Sequence, residues 1–422
     1  MMDTRIGNHL WVAMVASIAL ISPLAIAQNA RPIDADRARV IDHWNDERRS
    51  KAIPRDLAID PRGLGYLRRP DGSFQPHGHG IPAKATPGNH AILPFGMPPY
   101  IPPGTDPVTP SGPKNRLRRI AGATGVPFAT DGDTGGRTGS EVGASGWTTG
   151  GSVQKAAGRV FFEMPANRKR TEWTAYVCSG TVTTVAPKSH DGRERSVVIT
   201  AAHCIYDDVN KVFARNAMFI PGQAGAMDPG TQFSCNTDPT GCWVPSFGVV
   251  DKNWAIRLFP DNVKWDYGFY VIPDSGAHEG ADADGILDRA TGSLPVSFRP
   301  IAHRDFGDTP AEDEITHALG YSNAGNLLTY CAEGLTTEGG VNWWLPNCEL
   351  TSGSSGGPWV RPMSPESGSI VSVNSWSRTS NTGMAGPRLD TASAYCVFSR
   401  AKNQPAPVAP AEGDAGYAVS CR

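Results

Sequence analysis

All eight cysteines of this chain lie between Cys178 and Cys421, and none lies in the first 177 of its 422 residues. That partition limits the fold more than any other feature. If the cysteines pair, one C-terminal unit is covalently stapled, and whatever precedes it must hold together without bridges. Pairing requires an oxidising compartment, and the N-terminus supplies the route to one. Arg5 is followed by an apolar run from Leu10 to Ala27, closed by Ala25-Ile26-Ala27 and then by polar Gln28 and Asn29. This reads as a signal peptide over 1–27 with a small-x-small cleavage site. A retained anchor is the competing reading, but the run is short for a span and Pro23 interrupts it. The expected product is secreted or periplasmic, with no membrane anchor after cleavage.

Residues 28–153 read as a propeptide and linker. Asp34 is placed to cap a helix running to about Ile53, with Val40 and Trp44 on one face and Pro54 stopping it. Twelve prolines between Pro70 and Pro113 predict an extended, irregular stretch. Residues 121–152, rich in Gly, Thr and Ser, read the same way. His77-Gly78-His79 and His90 lack a Cys or carboxylate at ligand spacing, so no metal site is expected there. The run Lys114–Arg119 reads equally as a processing site or a charged turn. With 39 basic and 41 acidic side chains, no charge excess exists to neutralise phosphates, and nucleic acid is not an expected partner.

From about Gln154 the texture changes. Short β-prone runs such as Arg159–Met164, Val197–Thr200, Tyr267–Ile272 and Ile370–Trp376 recur between Gly, Pro and Asp turns, predicting an all-β sandwich or barrel over 154–422. Three segments there carry chemistry. Val198-Ile199-Thr200-Ala201-Ala202-His203 ends a β-branched strand on an imidazole. Trp265-Asp266-Tyr267 opens an apolar strand with a carboxylate, whose burial requires a partner. Asp251 and Asp261 compete for that role, but they sit in polar or turn contexts. Thr351–Pro358 is a glycine-framed serine loop in which Ser355 is the expected nucleophile and Ser354 its rival. The Gly353 and Ser355 amides there could form an oxyanion hole. The chain order His203, Asp266, Ser355 is one of the known triad orders.

On these segments, together with Val177-Cys178-Ser179-Gly180, Gly353–Trp359 and Ser372–Trp376, the chain resembles the chymotrypsin-fold serine peptidases, nearest the bacterial branch of V8-like glutamyl endopeptidases. The resemblance spans most of 154–400. It implies two antiparallel six-stranded β-barrels, with His203 as general base, Asp266 as its orienting partner and Ser355 as the acylated nucleophile. It also implies a Cys178–Cys204 bridge. Proximity in sequence adds Cys235–Cys242 and Cys331–Cys348, leaving Cys396–Cys421. Glu349, Asn374, Ser375 and Trp376 are the candidate specificity-pocket residues. Glu349 stands where trypsin-like members carry an acidic residue that selects Lys or Arg. Asn374 and Ser375 stand where a glutamyl-specific member would carry histidine nearby, so glutamyl specificity is not implied. Ser354 replaces the aspartate that pairs with a new N-terminus in trypsin-like activation, so that mode is not expected. The expected activity is a monomeric endopeptidase acting on proteins or peptides, without cofactor. A catalytically inactive peptidase fold that binds peptides is the alternative.

Overall fold

The computed structural model describes residues 34–81, 142–185, 195–222, 233–280, 285–301, 315–322, 327–338, 340–350, 352–380 and 382–421. The expected signal segment, His90 and the basic run at 114–119 lie outside them. No helix among the described residues is long and apolar enough to cross a membrane.

Six strands make the first barrel: Ala157–Pro165, Trp173–Thr183, Arg195–Thr200, Arg215–Pro221, Phe247–Asp251 and Gly268–Pro273. Each neighbouring pair among them is antiparallel. Ala157–Pro165 is buried along its whole length, so it lacks the in–out alternation of a one-sided strand. Two different cores explain this. Val160, Phe162 and Met164 enter the barrel interior, while Phe161 joins an outer cluster with Trp44, Val177, Met218 and Ile220.

The second half curls two sheets around a common core. One contains Val142–Gly146, Ile315–Tyr321, Leu328–Gly334, Pro358–Ser364 and Ser367–Val373. The other contains Thr336–Glu338, Asn342–Leu345, Met384–Pro387 and Trp376–Arg378. Ala318, Cys331 and Trp359 of the first sheet pack with Trp343, Leu345 and Met384 of the second. The architecture is the double β-barrel of the chymotrypsin-like fold.

Four disulfides close Cys178–Cys204, Cys235–Cys242, Cys331–Cys348 and Cys396–Cys421. The last ties the helix Ala392–Asn403 to the end of the chain. The strand Gly416–Val419 just before that bridge pairs in parallel with Phe247–Asp251.

The boundary expected at residue 154 moves in two ways. Val142–Gly146 is an integral strand paired to Leu328–Gly334, and its small residues gave no apolar signal. Residues 34–81 are folded onto the barrels rather than irregular. The single helix expected to about Ile53 is two, Ala35–His43 and Asp46–Lys51. Asn45 accepts from the Arg48 amide and caps the second, so the chain breaks at Trp44. Asp34 does cap the first, accepting from the Asp36 amide. Asp71-Gly72 turns a hairpin between Gly65–Arg68 and Phe74–Pro76. That hairpin, with Asp56–Ile59, adds three strands to the second-half sheet. Trp44 is fully buried against Phe161, and its indole N–H donates to the Asn216 carbonyl at 2.5 Å.

Candidate active site

The strand register assembles the site. Gly268 pairs with Thr200, so the residue two before Gly268 faces the turn that follows Thr200. That turn, Ala202–Cys204, carries His203, and the facing residue is Asp266. Both are completely buried. His203 Nδ1 lies 2.7 Å from Asp266 Oδ2, and the His203 amide donates to Oδ1 at 2.8 Å. A third donor comes from the second half: Ser375 Oγ donates to Asp266 Oδ2 at 2.5 Å. Three donors, the imidazole among them, compensate the burial of this carboxylate. The competing aspartates have other work. Asp251 caps the helix Lys252–Ile256, and Asp261 pairs with His79 near the surface.

Ser355 sits on a loop that only glycine permits. Gly356 has φ +81°, and a side chain there would lie 2.0 Å from Thr200 Oγ1 and 2.5 Å from the Ser179 carbonyl. This close approach fastens the second-half loop to the first barrel, where the Ser179 amide donates to the Ser355 carbonyl at 2.7 Å. Ser354 packs instead against Gly320, where an added Cβ would stand 2.6 Å from its own.

Sequence reasoning missed the residue in the centre of the site. Asp56, in the segment read as propeptide, places its carboxylate against the serine loop. Its Oδ1 accepts from the Gly353 amide at 3.1 Å and from the Ser355 hydroxyl at 3.1 Å. Burial raises its pKa above the usual carboxylate range, opposed by bonds from Gly353, Ser352 and Ser355 and by nearby His203. His203 Nε2 is buried without a hydrogen-bond partner. The preceding residue, Arg55, is also buried, and its Nε donates to the His203 carbonyl at 2.8 Å. A hint existed in the pattern Arg55-Asp56-Leu57-Ala58-Ile59, charges entering an apolar run before a Pro-Arg-Gly turn. It was too short to distinguish from loop.

The pocket beside Ser355 is lined by Leu350, Ser352, Trp376, Ser377 and Met384, with Asp56, Leu57 and Arg68 contributed by the N-terminal segment. Of the four candidate pocket residues, Trp376 and Ser375 border it. Glu349 does not: it is exposed, with its carboxyl near Gly143. Asn374 does not line it either. Its side chain donates to the Leu319 and Ser354 carbonyls at 2.8 and 2.9 Å and accepts from Trp359 Nε1 at 2.7 Å, bracing the serine loop from behind. Cys178, His203 and Cys204 lie close enough to suggest a metal cluster, but the two sulfurs are bonded to each other. His77 and His79 are engaged with Asp208 and Asp261 at 2.8 and 2.9 Å.

No family model and no curated protein matches the chain. Among solved structures it is similar to three proteases. The first is the protease Anisep from Arthrobacter nicotinovorans, at 26% identity over 61% of this chain and 99% of that one, with a TM-score of 0.44. The second is the thermostable serine protease AL20 from an extremophilic microorganism, at 25% identity over 60% and 98%, with a TM-score of 0.44. The third is a Glu endopeptidase, at 14% identity over 62% and 97%, with a TM-score of 0.41.

Proposed function

We propose that this chain is a secreted serine endopeptidase working through His203, Asp266 and Ser355. One observation carries the reading. A carboxylate oxygen rests where the Gly353 N–H and the Ser355 hydroxyl converge, 3.1 Å from each. The first donor is one of the two amides expected to meet a developing oxyanion, and the second is the hydroxyl expected to attack.

The chemistry follows from the groups present. Neutral His203 accepts the Ser355 proton at Nε2 while Asp266 holds Nδ1–H. Ser355 Oγ adds to the substrate carbonyl carbon, and the negative oxygen is met by the Gly353 and Ser355 amides. The tetrahedral species collapses as His203 returns the proton to the departing amine, leaving an ester on Ser355. Water, deprotonated by the same imidazole, then releases the acid. The pocket favours an uncharged apolar P1 residue. Once the N-terminal segment is set aside, its described lining is Leu350, Met384 and Trp376 with serine hydroxyls. It offers no carboxylate for Lys or Arg and no cation for Glu, and an unpaired buried charge is costly.

The test is hydrolysis of a peptide library together with labelling by a fluorophosphonate. Labelling that maps to Ser355, turnover lost in Ser355→Ala and a profile led by apolar P1 residues are expected. A protein that folds and binds peptides but neither labels nor turns over, with or without residues 34–81 docked, is the inactive alternative.

A further inference from the structure

We propose that residues 53–59 are a built-in inhibitor of this centre: the segment lies in the cleft as an added parallel strand, and its Asp56 carboxylate engages both the Gly353 amide and the Ser355 hydroxyl. The inference rests on the peptidase reading above and specifies how that site is held silent.

Three observations carry it. First, the edge beside the nucleophile is already paired. Leu57, Ala58 and Ile59 pair in parallel with Trp376, Ser377 and Arg378, and the far side of this added strand is covered by Gly65–Arg68. A substrate strand seeking the Trp376–Arg378 edge finds its donors and acceptors taken. Second, the catalytic pair is uncoupled. The Ser355 hydroxyl donates to Asp56, and His203 Nε2, the atom that must receive that proton, has no partner. Third, the group at the nucleophile cannot be cleaved. The group that accepts from the Ser355 hydroxyl is a carboxylate, which carries no amine to expel, so it fills the site without acylating it.

The region that carries this segment, residues 34–81, is also anchored away from the cleft. Its Trp44 is sunk in the outer face of the first barrel. Arg55 reaches Asp207 at 3.4 Å and lies over the Tyr176 ring. His77 meets the fully buried Asp208 at 2.8 Å. Ile53 and Pro54 add a short parallel pairing to Tyr176 and Val177. These contacts are all to the first half, and the pairing of residues 57–59 with 376–378 is to the second, so together they fix Asp56 over Ser355 and do not merely tether a loose strand nearby.

The experiment compares rates of fluorophosphonate labelling at Ser355 in the full chain, in Asp56→Ala and in Asp56→Asn, with Ser355→Ala as the blank. Near-UV circular dichroism identifies the folded variants; the near-isosteric Asn variant guards against a misfolded Ala variant. Slow labelling of the wild-type chain and at least tenfold faster labelling of the folded variants are expected. Equal rates in the wild type and the folded variants would overturn the inhibitor while leaving the peptidase intact. Absence of labelling in every folded form would instead overturn the peptidase reading, and the inhibitor with it.

Discussion

Residues 34–81 and the double-barrel body are built by different means. The body closes four disulfides, and its largest apolar cluster runs through both halves. The N-terminal segment contains no cysteine. It holds through Trp44 and Ile41 in the outer cluster, Leu57, Ile59 and Leu67 in the core shared with the body, strands of two to four residues, and ion pairs such as His77–Asp208 and Arg55–Asp207. Both parts are folded, but only the body carries covalent staples. On the inhibitor proposal the difference separates a permanent body from a removable insert, and each prediction below probes that division.

The largest effect belongs to the body. Asp266→Asn should cut kcat by about ten-thousand-fold, because the amide cannot hold His203 in the productive tautomer. Steady-state hydrolysis after the segment has been displaced measures it, and a loss below tenfold would dissolve the proposed triad. Next comes the grip of the segment. Trp44→Ala should weaken docking by about 3–5 kcal/mol, the cost of emptying a large buried aromatic site. Limited proteolysis should then cut within 34–81 much sooner, while the disulfide-linked body resists as before. Equal resistance of the segment in both proteins would show that it is as permanent as the barrels.

Acid should not part the two regions. Burial alone would raise Asp208, but the His77 charge and hydrogen bond outweigh it and hold Asp208 at about 2. A depressed value means that this clasp stabilises fully above the ordinary carboxylate range and is lost only as pH falls through about 2. Asp414 in the body behaves oppositely. Burial pushes it up to about 6, despite the Ala217 and Asn216 amides that donate to it. Its ionisation therefore costs the folded body on the order of 2–3 kcal/mol, a penalty relieved as pH falls from about 6 to about 4. Melting curves should show the body gaining stability from this group between pH 7 and pH 4, with the segment still protected from protease. Release of the segment at pH 4 would contradict the assignment. The smallest effect is on selectivity: Glu349→Ala should leave the P1 profile unchanged, since its carboxyl is exposed near Gly143. A changed profile would return Glu349 to the pocket.

What the sequence revealed depended on how local the signal was. The histidine turn, the Asp266 strand entry and the glycine-framed serine loop each occupy fewer than ten adjacent residues, and the β texture after Gln154 is a succession of short runs. Their chemistry survives without knowledge of partners. Cysteines close in sequence paired as proximity suggested, and Cys396 and Cys421 meet at the end of the body. The docking of 34–81 was not legible, because Asp56 meets Gly353 and Ser355 across about three hundred positions and no periodicity links them. Val142–Gly146 escaped notice since Gly, Ala and Ser carry no apolar pattern. Asn374 was misplaced for a related reason. Adjacent Ser375 and Trp376 border the cleft, while Asn374 turns into the packed interior and serves the loop from behind.

The attachment of residues 34–81 to the body by one continuous chain, with no cross-link, has a kinetic consequence. While the chain is whole, Asp56 faces Ser355 at an effective concentration set by the tether, up to the millimolar range for short flexible connections and lower as the tether lengthens. A single cut anywhere between residues 82 and 141 converts that intramolecular encounter into an ordinary bimolecular one. From then on the fraction of open enzyme depends on how dilute the solution is. On the inhibitor proposal, a nicked molecule stays silent where many copies are confined together and opens as they disperse, so the same cleavage would give little activity in a crowded compartment and full activity beyond it.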